Sequence, residues 1–530
     1  MSEGFDVVVV GGGHNGLVAA GLLAKQGARV VVCERNAQVG GAAVTEQPWG
    51  PQYNVTALSY VVSLMPPTIV RDLQLERHGY KVYPQNDYFV PYVDGGYLQM
   101  THERIAHYSP KDADAFARCN DWLGSFADAL GPLLTAVPPR LGSRKPKDVV
   151  DQAKLAWALR KLGVRGVGDA TRLFTSSIAD LLDDWFESPQ MKGVLSVSGV
   201  IGTWAGPRSA GTAYVMAHHK IGDVGEGQMG QWGFPAGGMG GVTRALRAAA
   251  EQFGATVRTE APVAKIDVRN GHARGVILQS GEQLAADIVI AATHPQITFL
   301  QQIDRHELPD DFIAALEQWK TRSGTVKVNV AVDRLPEFTS KPGFDPEVHG
   351  GTIVLAESLD DIEGAFQDAV AGRAAALPFA DICIPSVFDP TLAPEGHHIV
   401  SMFTQWVPHT WADEPNPEEL AAHADRVVAR VDAVAPGFSS SILHRQVIGP
   451  HEMQRDYGLI GGNIFHGELS PGQMFHMRPA PGYADFRTPI AGLYQASSAT
   501  HGGGGVTGIP GLNVVRQITR DRRRGLRRRA

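Results

Sequence analysis

Residues 5–34 read FDVVVVGGGHNGLVAAGLLAKQGARVVVCE, and the order of residue types in this stretch decides the fold. FDVVVV, residues 5–10, is an apolar β-branched run too short for a helix of its own, so it reads as a strand buried on both faces. Gly11-Gly12-Gly13-His14-Asn15-Gly16 follows at once, then LVAAGLLAKQG at helical spacing with a stop at Gly27. The next strand, ARVVVCE, ends in Glu34. A strand, a glycine turn, a helix, a second strand and an acid in this order form a dinucleotide-binding unit.

Each residue in it has a physical task. Gly11 permits the tight turn, Gly13 lets the backbone approach a pyrophosphate, and Gly16 lets helix and strand pack closely. The helix N-terminus, with Asn15 in its first turn, offers free N–H groups and a positive dipole end to phosphate. Glu34 is placed to accept hydrogen bonds from an adenosine ribose, and its charge disfavours the 2′-phosphate of NADP. The bare glycine spacing recurs at Gly225-x-Gly227-x-x-Gly230 and Gly503-x-Gly505-x-x-Gly508. Neither recurrence has the full strand–turn–helix–strand–acid context.

Working outward, 530 residues amount to two large domains or roughly three average ones. With 43% hydrophobic and 19% charged residues the composition is that of a soluble globular chain. No stretch approaches the ~18 uninterrupted apolar residues of a membrane-spanning helix, and a strand-like run by Phe5 leaves no room for a signal or transit peptide. These absences predict a cytoplasmic protein, peripheral to a membrane at most. Cys33, Cys119 and Cys383 are far apart with no CxxC pair, which argues against a disulfide scaffold, a zinc ribbon or a dithiol redox centre, and no metal site is expected. Residues 520–530 hold seven arginines and one aspartate, while the rest of the chain carries a net charge of −13. An acidic body argues against nucleic-acid binding. The basic tail reads either as a solvated end or as a contact with an anionic membrane surface.

The segment ERNAQVGGAAVTEQ, residues 34–47, resembles the extended fingerprint of glutathione-reductase-type FAD-binding proteins, with Arg35 after the acid and the glycine pair Gly40-Gly41 shortly beyond. Residues 256–293 show strands separated by Asn270-Gly271 and Ser280-Gly281 turns. They resemble the strand meander and return strand of the same class, which implies that Val263 contacts the adenine side. GLYQASSATHGGGGVTGIPGLNVVRQI, residues 492–518, resembles the element that lies against the flavin. It implies cofactor contacts for Ser497, Gly504, Gly505 and Val506. The implied cofactor is FAD.

The whole-chain pattern resembles the phytoene desaturase-like oxidoreductases, through GGGHNGLVAA at 11–20, GQWGFPAGGMGGVTRAL at 230–246, FDPTLAPEGHHIVSMFTQWVP at 388–408, GLIGGNIFHGELSPGQMF at 458–475 and GLYQASSATHGGGGVTG at 492–508. Two departures stand out: His501 is followed by Gly502 rather than the usual proline, and the last helix opens Leu512-Asn513-Val514-Val515 rather than with alanines. The resemblance implies an α/β fold whose FAD-binding Rossmann domain is discontinuous, assembled from 1–75, 231–300 and 480–519. An α+β substrate domain from 76–230 and 301–479 and the tail 520–530 complete it.

The implied reaction is hydride exchange between flavin N5 and a C–C or C=C bond of a long apolar, polyene-like substrate. His501 and His466 are the catalytic candidates, each with the alternative of holding a loop by hydrogen bonds; His218, His219, Asp223, Glu226 and Glu468 stand behind them. In 140–165 basic residues interleave with Leu155, Trp157, Leu159 and Leu162. That segment reads as an amphipathic helix packed on its own domain or as an interfacial helix at a tunnel mouth. The competing functions are an amine oxidase on the same fold and a flavin-bound regulatory protein with little turnover. Ala42-Ala43 argues against the former, because amine oxidases usually place a basic residue there.

Overall fold

The computed structural model describes residues 4–160, 163–222 and 230–529. Gly225, Gly227, Asp223 and Glu226 lie outside the described residues, as do the side chains of the basic tail from residue 523 onward.

Five strands form a parallel sheet in the order Thr256–Arg258, Val30–Cys33, Phe5–Val10, Gln283–Ala291 and Leu493–Gln495. Sequentially remote stretches therefore meet in one layer. The valine run explains why it is central: Val7 and Val9 face the helices His14–Lys25, Met239–Gln252 and Ile509–Arg529. Val8 and Val10 face the opposite layer, which includes the helix Asp310–Glu317. Both faces of the strand are covered, so no polar alternation appears in its sequence.

The strand Gln283–Ala291 has two partners. Its first part pairs antiparallel with His272–Leu278, and its later part runs parallel to Phe5–Val10. Val263–Arg269 completes the antiparallel meander, turning at Asn270 (φ 54°) and Gly271 (φ 70°). Two consecutive positive φ values are what a two-residue hairpin needs.

A second sheet has seven strands in the order Ile442–Ile448, Thr325–Val332, His398–Gln405, Phe379–Cys383, Thr352–Leu355, Tyr88–Pro91 and Tyr97–Gln99. All its pairs are antiparallel except Thr352–Leu355 with Tyr88–Pro91. Val326, Val328, Val330 and Val332 bury one face, with Val427, Val428 and Val431 of the helix Pro417–Val434 in the same core. The alternate residues, Lys327 and Asn329 among them, face the other way, and that face is also buried.

Helices fill most of His102–His219. Ser109 caps the helix Pro110–Leu134, its side chain accepting from the Asp112 N–H, with proline at the first helical position. The basic segment forms the helices Pro146–Arg160 and Gly163–Thr175, and Val149, Val150, Trp157, Val164 and Val167 stand exposed on them. Among the described residues no helix is long and apolar enough to cross a membrane.

Candidate active site

One cavity runs between the two sheets. At one end Gly11, Gly13, His14 and Asn15 from the first turn meet Gly40 and Gly41. The two turns are tied together: the Gly40 N–H donates to the Gly12 carbonyl at 2.9 Å, and Gly13 and Gly40 form a parallel bridge. A methyl group added at Gly13 would meet no atom within 4 Å, and one added at Gly41 only the Gly13 Cα at 3.7 Å. Both glycines border open space, and a ligand can come against bare backbone there.

Glu34 lies at the same end, only 5% exposed. One of its carboxylate oxygens accepts from the Gly12 N–H at 2.8 Å and the other from the Asn36 N–H at 2.9 Å. Two fixed donors orient the carboxylate towards the cavity, and each oxygen keeps a lone pair for a ribose hydroxyl. Arg35 reaches across to the carbonyls of Arg455 and Asp456, and Val263 closes the wall nearby. Among the described residues, the ends of several buried side chains here find no protein partner: His14 Nε2, Asn15 Oδ1, Gln302 Oε1 and His466 Nδ1. Unpaired buried polar atoms that converge on a cavity call for a polar ligand. A dinucleotide cofactor fits this donor and acceptor set: Glu34, Arg35 and Val263 would hold its adenosine and Gly11, Gly13, Asn15, Gly40 and Gly41 its pyrophosphate, with Gly505 and Val506 further along the wall.

Four of the expected residues are not on the cavity wall. Gly16 sits behind it: a methyl group there would lie 2.2 Å from the Gly11 carbonyl, so its contribution is the close helix–strand contact. Ser498, whose hydroxyl accepts from Asn15 Nδ2 at 3.2 Å, lines the cavity in place of Ser497. Gly504 packs on Phe465 instead, a methyl there falling 3.1 Å from its Cα. His501 is buried away from the wall and its Nε2 bonds the Leu133 carbonyl at 2.9 Å. This ties the glycine run to the end of the helix Pro110–Leu134, the loop-holding alternative.

His466 does reach the cavity. Its backbone is left-handed (φ 57°), and its carbonyl is held by Trp319 Nε1 at 2.9 Å and His294 Nε2 at 3.1 Å. Burial drives its basicity well below the usual imidazole value, with His294 and Arg478 adding to the effect. Burial likewise lowers His14, His219 and His294 to about 4. All four cavity histidines are therefore neutral at pH 7. Arg478 braces this wall from behind, its guanidinium donating to the Phe465 and Ser498 carbonyls. Arg478→Met leaves both carbonyls without that donor. We expect a loss of about 2 kcal/mol or more in chemical denaturation, since each buried group left unpaired costs ~1–3 kcal/mol.

The far end of the cavity holds a group of residues that the sequence did not single out. Lys327, Phe403 and Asp381 lie directly opposite one another on three adjacent strands and so share one face of the sheet. Tyr60 lies over this row. Its hydroxyl donates to Asp381 Oδ1 at 3.0 Å, and its ring is 6.2 Å from that of Phe403 and 3.8 Å from Lys327 Nζ. Lys327, 1% exposed, donates to the Ser401 hydroxyl at 2.6 Å, which in turn donates to Asn329. Burial lowers the Lys327 ammonium to about 7 against the pull of Cys383 and Asp381. Burial raises Asp381 to about 6, opposed by the Tyr60 hydrogen bond and by Lys327. Of the other candidates, Glu468 pairs with Arg322 at 2.6 Å, and His218 is buried outside the wall. His219 does line the cavity, with the ring of Trp232 5.7 Å from its own.

Comparison with known proteins agrees with this geometry. The sequence model of the flavin containing amine oxidoreductases matches residues 16–511. Pyridine nucleotide-disulfide oxidoreductase domain-containing protein 2 of Rattus norvegicus is 37% identical over 98% of this chain and 94% of its own length. The disulfide chemistry in that name has no counterpart here, where the three cysteines are separately buried and free. One of the subunits of the limonene dehydrogenase of Castellaniella defragrans is 26% identical over 97% of this chain and 94% of its own length. Among solved structures, cyclohexylamine oxidase of Brevibacterium oxydans shares the fold with a TM-score of 0.59 at 17% identity, over 97% of this chain and 100% of the other. The chain belongs to the flavin-containing amine oxidoreductase family, and FAD is its cofactor.

Proposed function

We propose that this FAD-dependent oxidoreductase exchanges hydride with a C–C or C=C bond of a long apolar substrate. The observation that carries the reading is the cavity wall beyond the nucleotide cradle, where Leu58, Val197, Ile201, Trp232, Phe403 and Phe465 converge. Such a wall binds hydrocarbon by excluding water from it. The relative that acts, by its name, on limonene supports the apolar character of the substrate.

When bound, FAD supplies a two-electron partner that takes up or gives back hydride. The chain's own part is to orient the substrate and keep water away. The neutral histidines suit that task, because they bring no charge that an apolar substrate would have to desolvate. A second reading, oxidation of an amine, is favoured by the family model itself.

Anaerobic incubation with a lipid extract of the host separates the two. The proposed reaction bleaches the oxidised-flavin bands and yields a lipid changed in mass by two hydrogens. A protein that ignores every lipid fraction but releases peroxide from amines in air follows the second reading.

A further inference from the structure

A pure hydrocarbon does not account for the far end of the cavity. Covering Asp381 and Lys327 with hydrocarbon alone would strip both of water and leave them without new partners, a costly arrangement. Asp381 is 6% exposed and lines the cavity. Only its Oδ1 is engaged, by Tyr60; among the described residues its Oδ2 makes no hydrogen bond. Close by on the same wall, the Gln85 side chain donates to the Thr352 hydroxyl at 2.9 Å, and its buried Oε1 has no partner among the described residues. Thr352 belongs to the strand next to that of Asp381. On the Asp381 side of Phe403 the open atoms are thus both acceptors, and acceptors are satisfied by a ligand that brings a donor.

We propose that the Asp381–Tyr60 end of the cavity recognises a hydrogen-bond donor, an O–H or N–H, at the head of an otherwise apolar substrate. Asp381 Oδ2 accepts this donor, and Tyr60 fixes the carboxylate from the other oxygen. Phe403, directly opposite Asp381 on the neighbouring strand, supplies an apolar surface for the body of the molecule. Lys327 stands on the other side of Phe403, roughly 10 Å from Asp381 at two strand spacings. Its charge helps to keep the carboxylate ionised. The inference rests on the reading of this cavity as the substrate site.

The test compares four probes with one body: biphenyl, biphenyl-4-methanol, biphenyl-4-methylamine and the methyl ether of the alcohol, which keeps the oxygen but has no donor. Dissociation constants are measured on the FAD-loaded protein by the perturbation of its flavin spectrum. We expect the alcohol or the amine to bind at least ~10-fold more tightly than the ether, the smallest advantage of a hydrogen bond to a charged group. Which of the two binds better identifies the donor as hydroxyl or amine.

Asp381→Ala should shrink the preference to within about threefold while biphenyl still binds. Lowering the pH through about 6 should also erode it, as Asp381 takes up a proton. Tyr60, Tyr88, Cys383 and Lys327 face the same carboxylate. Burial moves the first three further above that range, and Lys327, at about 7, takes up its proton ahead of Asp381 as the pH falls. Equal affinity for all four probes in the unmodified protein overturns the inference and leaves the apolar-substrate reading standing. Failure of every probe to bind, biphenyl included, overturns both. The comparison in the unmodified protein decides the matter even if the Asp381 variant does not fold.

Discussion

Gly13→Val protein folds and purifies without FAD. Gly13 has φ −66° and ψ 167°, a conformation open to any L-residue, and a Cβ there meets nothing within 4 Å. Valine in place of glycine at the cap of the helix His14–Lys25 costs the apoprotein no more than ~1 kcal/mol. The added methyls project into the space between the two glycine turns, where the pyrophosphate must come against backbone. We expect FAD affinity to fall at least ~100-fold, or ~2.7 kcal/mol. The check is the flavin-to-protein absorbance ratio of the purified variant together with its melting temperature, compared with wild-type apoprotein. Retention of stoichiometric FAD would show that the cofactor does not pass over Gly13.

Gly16→Ala fails for the opposite reason. Its methyl would lie 2.2 Å from the Gly11 carbonyl oxygen, 3.1 Å from the Ala292 Cβ and 3.2 Å from a methyl of Val9. The first of these atoms is backbone in the turn itself and cannot rotate aside, so helix and strand must separate by about 1 Å. Overpacking a core typically costs ~1–3 kcal/mol, and a clash with main chain belongs at or above the top of that range. Urea denaturation of the apoprotein should therefore show a loss of at least ~3 kcal/mol, or the variant should be insoluble. A loss below ~1 kcal/mol would mean that the helix is not seated as tightly as the structure shows. Three residues apart in one fingerprint, Gly13 serves the ligand and Gly16 serves the fold.

The nucleotide-binding half was legible because its physics is local. A valine run covered on both faces, a glycine turn, a helix stop at Gly27 and an acid at the end of the next strand each leave a mark within a few residues. The meander at 263–291 was marked in the same way by Asn270-Gly271. The far end of the cavity left no such mark. TVKVNVAV, residues 325–332, alternates polar and apolar residues, and alternation ordinarily means one buried face and one face in water. Here the second face is covered by segments from elsewhere in the chain, Tyr60 among them, so Lys327 and Asn329 are buried after all. No residue near 325 announces that Tyr60 will arrive above it.

His501 shows a related difficulty. Its place beside a glycine run suits a residue at the flavin, and only the tertiary structure reveals that its ring turns to the Leu133 carbonyl. The shift from Ser497 to Ser498 has a simpler origin: a one-residue offset in an irregular turn exchanges which side chain faces the cavity.

The cleft between Gly13, Gly41 and Glu34 is built for FAD. The most direct measurement is the absorbance spectrum of the purified protein, taken before and after incubation with FAD and desalting, followed by denaturation and identification of the released flavin. We expect an oxidised-flavin spectrum and about one FAD released per chain, with Gly13→Val carrying none. A protein that holds no flavin after incubation with FAD, or one that releases only FMN, would contradict it.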